Sequence, residues 1–227
     1  MKKIIFLTAA LFAACAVFAQ DDDGPPAVKI FTPVRISFFG SNDGNDSFPA
    51  SANVVTGLDF GIFSARTPTV YGVQLSPLST VGQVYGIKLA GLSNIGKVYG
   101  IDLAGIGLST DTVGVKASVF FRDGSSCGVS ATIVNTERYT EGIAAAGILY
   151  TSYFDGIGVY GVYHTAALGD SRFNGLGIGL VNMTHRLNGV QIGLVNYTNY
   201  LRGVQIGLIN VSKSGGLPFM PIMNIGF

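Results

Sequence analysis

The sequence contains no tryptophan, only two cysteines and two histidines, and 12% charged residues among its 227. A soluble domain ordinarily carries about 25% charged residues, so the halved share argues against an ordinary water-facing globule. With 14 Lys+Arg against 13 Asp+Glu there is no basic excess, and the electrostatic basis for binding nucleic acid is missing. Two cysteines exclude a disulfide framework and a cysteine-built metal cluster. Disorder is excluded from the other side, because a chain that is 48% hydrophobic and nearly neutral is too apolar to stay unfolded. What the sequence has in excess is glycine, 32 residues, about twice the usual share of roughly 7%.

The N-terminus reads as an export signal. Lys2 and Lys3 precede an uncharged apolar run from Ile4 to Phe18, and Val17-Phe18-Ala19 offers small residues where a signal peptidase reads, which predicts a signal peptide over residues 1–19 cleaved after Ala19. The run is too short, and Asp21 to Asp23 follow too soon, for a bilayer-spanning helix. Phe12-Ala13-Ala14-Cys15 offers a second reading, lipidation of Cys15. It is weakened by Phe where Leu is usual and by apolar residues directly after the cysteine. Cleavage after Ala19 leaves 12 basic against 13 acidic residues and one cysteine, Cys127, which reads as a small apolar strand residue.

Residues 20–227 form a single repeat domain. Glycines fall at 72, 86, 100, 114, 128, 142 and 156, each 14 residues after the last, and the series resumes at 175, 189 and 203. The 19-residue gap before Gly175 places five extra residues around Ala167 to Asn174, the longest late loop. Gly57 opens a degenerate copy 15 residues before Gly72, so the array runs from about 57 to 211, with a closing strand over 217–227. The best copies are GVQIGLVN from Gly189 and GVQIGLIN from Gly203, with YGIKLAGL from Tyr85 and YGIDLAGI from Tyr99 as relatives. A period of this kind marks duplicated structural units.

Within each unit the alternation has period two, as in a strand whose successive side chains point to opposite faces. One face carries Val190, Ile192 and Leu194, or Ile87 and Leu89; the other carries small residues around one polar position. That polar row reads Asp59, Gln74, Lys88, Asp102, Lys116, Ser130, Ala144, Gly158, Gly177, Gln191 and Gln205. A glycine inside a strand costs roughly 0.5 to 1 kcal/mol relative to Ala, so its recurrence predicts tight curvature or close backbone approach.

An aliphatic face outward and a small or polar face inward, on strands of about ten residues, predicts a closed up-and-down antiparallel outer-membrane-type β-barrel of about twelve strands. The final alternation Phe219, Pro221, Met223, Ile225 and Phe227 resembles the terminal signal of such barrels, and Tyr71, Tyr85 and Tyr99 would serve as lipid-boundary anchors. In a barrel Gln74, Lys88, Asp102, Lys116, Gln191 and Gln205 face the lumen, where charge would set a mild solute preference. The alternative is a β-solenoid with the aliphatic face enclosed as a dry core. Single-strand repetition and an odd strand count favour it.

The GVQIGLVN and GVQIGLIN units, the SGGLPFMPIMNIGF ending and the signal peptide together resemble a family of bacterial surface repeat proteins found in spirochaetes and other diderm bacteria. Middle copies such as GVKASVFF from Gly114 depart from its pattern. The resemblance implies an outer-membrane or cell-surface location and transfers no catalytic residue.

The chemistry-bearing motifs are weak. Gly156-Ile157-Gly158-Val159-Tyr160-Gly161 matches G-x-G-x-x-G but lies in a strand array instead of a βαβ unit. Asn182, Asn196 and Asn210 open glycosylation sequons at 14-residue spacing, and repetition explains them better, as turn asparagines. His164 and His185 have no acidic or thiol residue at ligand spacing and are expected exposed at strand ends. Asp43 and Asp46 lack the spacing of a calcium loop. Lys88, Asp102 and Lys116 would lie side by side as opposite charges on neighbouring strands, a pairing that is favourable by roughly 0.2 to 1 kcal/mol each. The expected protein is therefore a non-enzymatic outer-membrane component with a structural or passive-permeability role and no cofactor. Its partners would be outer-membrane lipid and the barrel-assembly machinery. An adhesin or interaction scaffold, with ligand contacts through loops near Asn42 to Ser47 and Ala167 to Asn174, is the second reading.

Overall fold

A computed structural model describes residues 31–39, 47–48, 54–165 and 171–227, which contain strands and no helix. The signal peptide, Cys15, Asp43, Asp46 and most of the two expected ligand loops lie outside the described residues. The strands are β1 (Phe31–Ser37), β2 (Ser47–Phe48), β3 (Val54–Gly61), β4 (Ser64–Thr165), β5 (Arg172–Ile192), β6 (Val195–Ser214) and β7 (Phe219–Gly226). The chain divides into two compact units, Met1–Val119 and Phe120–Phe227, and β4 contributes to both.

Strand direction overturns the barrel. β1 pairs with β3, β3 with β4, β4 with β5 and β5 with β6, all in parallel. An up-and-down barrel requires antiparallel neighbours. Each unit is instead a parallel β-solenoid, and the two together make about ten turns, each of ~14 residues. In the last coils Gly189 faces Gly203, Gln191 faces Gln205 and Asn182 faces Asn196, so each residue stacks on its own equivalent. The five extra residues after Thr165 are absorbed without loss of register, since Gly156 still faces Gly175 and Asp155 faces Asn174. Antiparallel pairing occurs at β1 with β2 and at β6 with β7.

The glycine period is the corner of each coil. Gly86 has φ +140° and Gly203 φ +138°, a region where a Cβ is strained. A Cβ on Gly203 would also collide with the carbonyl oxygen of Gly189 one coil earlier. Sharp curvature and close approach thus act at the same position, and Gly156, first of the G-x-G-x-x-G string, is one of these corners at φ +140°.

The solenoid expected as the alternative has its aliphatic face enclosed. The structure has the reverse. Gln74, Lys88, Asp102, Lys116, Gln191 and Gln205 are at most 1% exposed, whereas Ile101, Ile157, Leu194 and Leu208 are 38, 46, 50 and 68% exposed. The packed interior also removes the passive-permeability reading, because the polar row fills each coil and lines no aqueous lumen.

Candidate functional site

In the unit ending at Val119 the predicted polar residues come together as one inner column. Arg35 faces Asp59, and Asp59 faces Gln74. Gly72, Gly86, Gly100 and Gly114 stack corner upon corner, which places Gln74, Lys88, Asp102 and Lys116, two residues after each, in the same column. Parallel strands lie about 4.8 Å apart, so acids and bases alternate at nearly ion-pair distance along the coil axis. Arg35 was not anticipated from the repeat, although the Val34-Arg35-Ile36 alternation in β1 carries the signal.

A second inner column of hydroxyls meets these groups. Thr67 Oγ1 donates to Asp59 Oδ2 (2.7 Å) and accepts from Arg35 Nη1 (2.8 Å), while Ser79 Oγ donates to Gln74 Oε1 (3.0 Å). Lys88 Nζ donates to Ser93 Oγ, which lies 3.2 Å from Thr110 Oγ1, and Thr112 Oγ1 donates to Asp102 Oδ2 (3.3 Å). Burial dominates the electrostatics here. It lowers the pKa of Lys88 and brings Lys116 down to about 7, each partly opposed by Asp102. Burial raises Asp59 and lowers Arg35 despite their mutual attraction. The remaining inner wall is a valine stack of Val55, Val70, Val84 and Val98.

In the unit from Phe120 the same column holds Ser130, Ala144, Gly158 and Gly177 before Gln191 and Gln205. The small residues have a packing reason. A Cβ on Gly158 would lie 2.7 Å from the Tyr160 ring, and one on Gly177 would collide with the Tyr160 hydroxyl and lie 2.9 Å from the Phe173 ring. Phe154, Tyr160, Tyr163 and Phe173 occupy the freed volume, with Phe154 and Phe173 stacked at 4.6 Å. Above them Gln205 Nε2 donates to Gln191 Oε1 (3.4 Å).

The three sequon asparagines are neither at the surface nor modification sites. Asn182, Asn196 and Asn210 are fully buried. Asn182 Nδ2 donates to Asn196 Oδ1 (2.5 Å) and Asn196 Nδ2 to Asn210 Oδ1 (2.7 Å). Asn196 Nδ2 also reaches the Ile206 carbonyl (2.9 Å), and Asn210 Nδ2 reaches that of Met220 (3.0 Å). This is an amide ladder that satisfies backbone carbonyls at a coil corner, a role that Asn at a fixed repeat position also permits.

The outer surface carries the second set of rows. Tyr71, Tyr85 and Tyr99 stack at 4.9 and 4.8 Å, one residue before the corner glycines, and border the exposed aliphatic rows. Exposed His164 stacks on Tyr150 at 5.3 Å. His185 departs from its expected place: it is half-buried within β5, with Nδ1 2.7 Å from Asn199 Nδ2 and its ring edge-on to Tyr200. No three metal-ligating side chains converge among the described residues. The inner ionisable groups are enclosed, so a substrate would have to open a coil to reach them. Chemistry between molecules is therefore confined to the outer rows. Comparison with protein-family models, with curated proteins and with solved structures finds no match.

Proposed function

We propose that this chain is an exported, non-enzymatic surface scaffold: a β-solenoid held against envelope lipid by its outward aliphatic strip, displaying its remaining outer rows to extracellular ligands. The single observation that carries this reading is the inversion of the coil, with polar side chains spent inside and Ile, Leu and Val presented outside in register. Exposed apolar surface costs about 25 cal/mol per Å². Rows of half-exposed aliphatic residues repeated over successive coils reach the order of the several hundred Å² that mark interaction faces. Stacked tyrosines along one border supply the amphipathic rings that favour a lipid-water boundary. The resemblance of the repeats to diderm surface proteins and the signal peptide ending at Ala19 support export to the cell surface. The barrel-assembly machinery loses its basis as a partner, since that expectation rested on antiparallel closure.

The test is flotation of the purified chain with phospholipid vesicles, paired with protease shaving of intact cells. Co-flotation that is lost in the Ile157→Asn/Ile178→Asn/Ile192→Asn variant is expected, together with surface cleavage and a mature N-terminus at Gln20. A chain that stays in the aqueous fraction, or that retains residues 1–19 inside the cell, overturns the reading.

A further inference from the structure

The outer surface of the last coils carries an arrangement unlike the aliphatic strip. β5 and β6 place Arg172 and Asn174, Arg186 and Asn188, and Tyr200 and Arg202 at equivalent positions of three consecutive coils. Arg186 faces Tyr200, and Asn188 faces Arg202, in the parallel register. Gly189 sits directly over Gly175, so Arg172 and Arg186, three residues before each, are also neighbours. All six line one groove of about 370 Å³, and among the described residues no Asp or Glu lines it. That volume falls within the roughly 300 to 1,000 Å³ of typical ligand clefts.

The arginines are placed by aromatic rings. The Arg172 guanidinium lies 5.8 Å from the Tyr153 ring centroid, and that of Arg186 lies 5.6 Å from the Tyr200 centroid. Such cation–π contacts orient the planar fork. Between the arginine columns, the buried Phe173, Leu187 and Leu201 fix the backbone that carries them. Asp155 faces Asn174 one coil below.

We propose that this groove binds an acidic polysaccharide, with Arg172, Arg186 and Arg202 holding its sulfate, phosphate or carboxylate groups. Guanidinium forks match the geometry of such oxyanions in bidentate fashion. Asn174 and Asn188 offer amide donors and acceptors to sugar hydroxyls, and the half-exposed Tyr200 ring offers a face for sugar C–H groups. The Arg-x-Asn motif stands on two consecutive coils, and the third carries Tyr200-x-Arg202 in its place, so each coil presents one guanidinium at about 4.8 Å per step. It therefore fits a linear polymer with repeated charges better than a single headgroup. An extracellular polymer is met only if the chain is exported, and to that extent the inference rests on the surface reading.

The experiment measures binding of the purified full chain to heparin by calorimetry, with neutral dextran, inorganic phosphate and phosphatidylglycerol vesicles as separate arms. Heparin binding that weakens steeply with added salt is expected, with little affinity for dextran or free phosphate. Arg186→Glu/Arg202→Glu should weaken it at least about tenfold, Arg186→Lys should retain an intermediate affinity, and Lys97→Glu in the other unit should leave it unchanged. Circular dichroism checks that the variants, altered only at exposed positions, keep the β signal. Equal binding by the double variant, equal binding of dextran, or capture by vesicles but not by heparin overturns the proposal. These outcomes are independent of cell location, so failed surface shaving with intact heparin binding would refute export and leave the groove standing.

Discussion

From Arg35 to Lys116 the inner column alternates bases and acids around Gln74, all buried. From Ala144 to Gly177 the same column has almost no side chain, and four aromatic rings fill the space. The corner glycines and the ~14-residue period are shared, so the frame does not dictate the filling. The first unit meets the cost of burying charge by stacking opposite charges and hydroxyls. The second avoids charge in that column and orders itself through packing and amide ladders. Buried ion pairs confer little net stability but are costly to break, whereas apolar filling stabilises directly. The first unit should therefore be the more brittle and the more sensitive to pH.

Because the chain has no tryptophan, Tyr85→Trp and Tyr139→Trp would give separate fluorescence reporters of the two units during urea unfolding. The largest effect is expected from Asp102→Ala, which strands Lys88 and Lys116 as buried like charges. It should cost the first unit about 3 to 5 kcal/mol, and a loss under 1 kcal/mol would mean the column is hydrated. Next is Asn196→Ala in the second unit, which breaks the ladder in both directions: Asn210 Oδ1 loses its donor, and Asn182 Nδ2 keeps only its long contact to the Ile192 carbonyl. Its expected cost is about 2 to 3 kcal/mol, read by the Tyr139→Trp reporter.

The pH response should separate the units by sign. Folded Lys116 releases its proton above about 7, while the unfolded lysine holds it to 10.5. The unfolded state therefore binds more protons in that window, and the first unit should gain stability as pH rises through it. The lowered pKa of Lys88 acts in the same direction, and Lys116→Met should flatten the slope. In the second unit burial raises the phenols of Tyr160 and Tyr163 above 10.0, so only the unfolded chain ionises there and stability should fall above pH 10. Parallel slopes in both units would break the comparison. The smallest effect is expected from Tyr163→Phe, which removes a buried hydroxyl without a hydrogen-bond partner and should stabilise by up to about 1 kcal/mol. A loss of that size would instead reveal a partner for the hydroxyl.

Much of this frame was legible before any coordinates. The glycine spacing gave the period, and the alternation of Val190, Gln191 and Ile192 gave both faces and the direction each one looks. Alternation has the same appearance in parallel and antiparallel strands, so it does not distinguish coils from hairpins, and the barrel reading rests on facing, on the terminal alternation to Phe227 and on the tyrosine row, none of which reports strand direction. The solenoid alternative has the right fold and the wrong facing, since it assigns the aliphatic face to the core because water usually decides that question. The asparagines read as turn residues because Asn favours turns; their ladder depends on parallel stacking, which identical residues at a fixed period foreshadow. The arginine groove was hidden because its residues sit outside the Gly-anchored segment, where one column changes from Arg172 and Arg186 to Tyr200.

The antiparallel return of β7 onto β6 has an evolutionary consequence. Every parallel coil presents the same edge to the next, so an in-frame duplication or loss of one repeat lengthens or shortens the stack while the covering strand docks on an equivalent rung. Residues gained between strands are taken up at the corner, as in the 15-residue step from Gly57 to Gly72, where Asp59 still faces Gln74, whereas one residue gained within a strand would turn the side chains beyond it inside out. Selection on such a gene therefore tolerates changes in copy number and in corner length far more readily than changes of spacing within a strand.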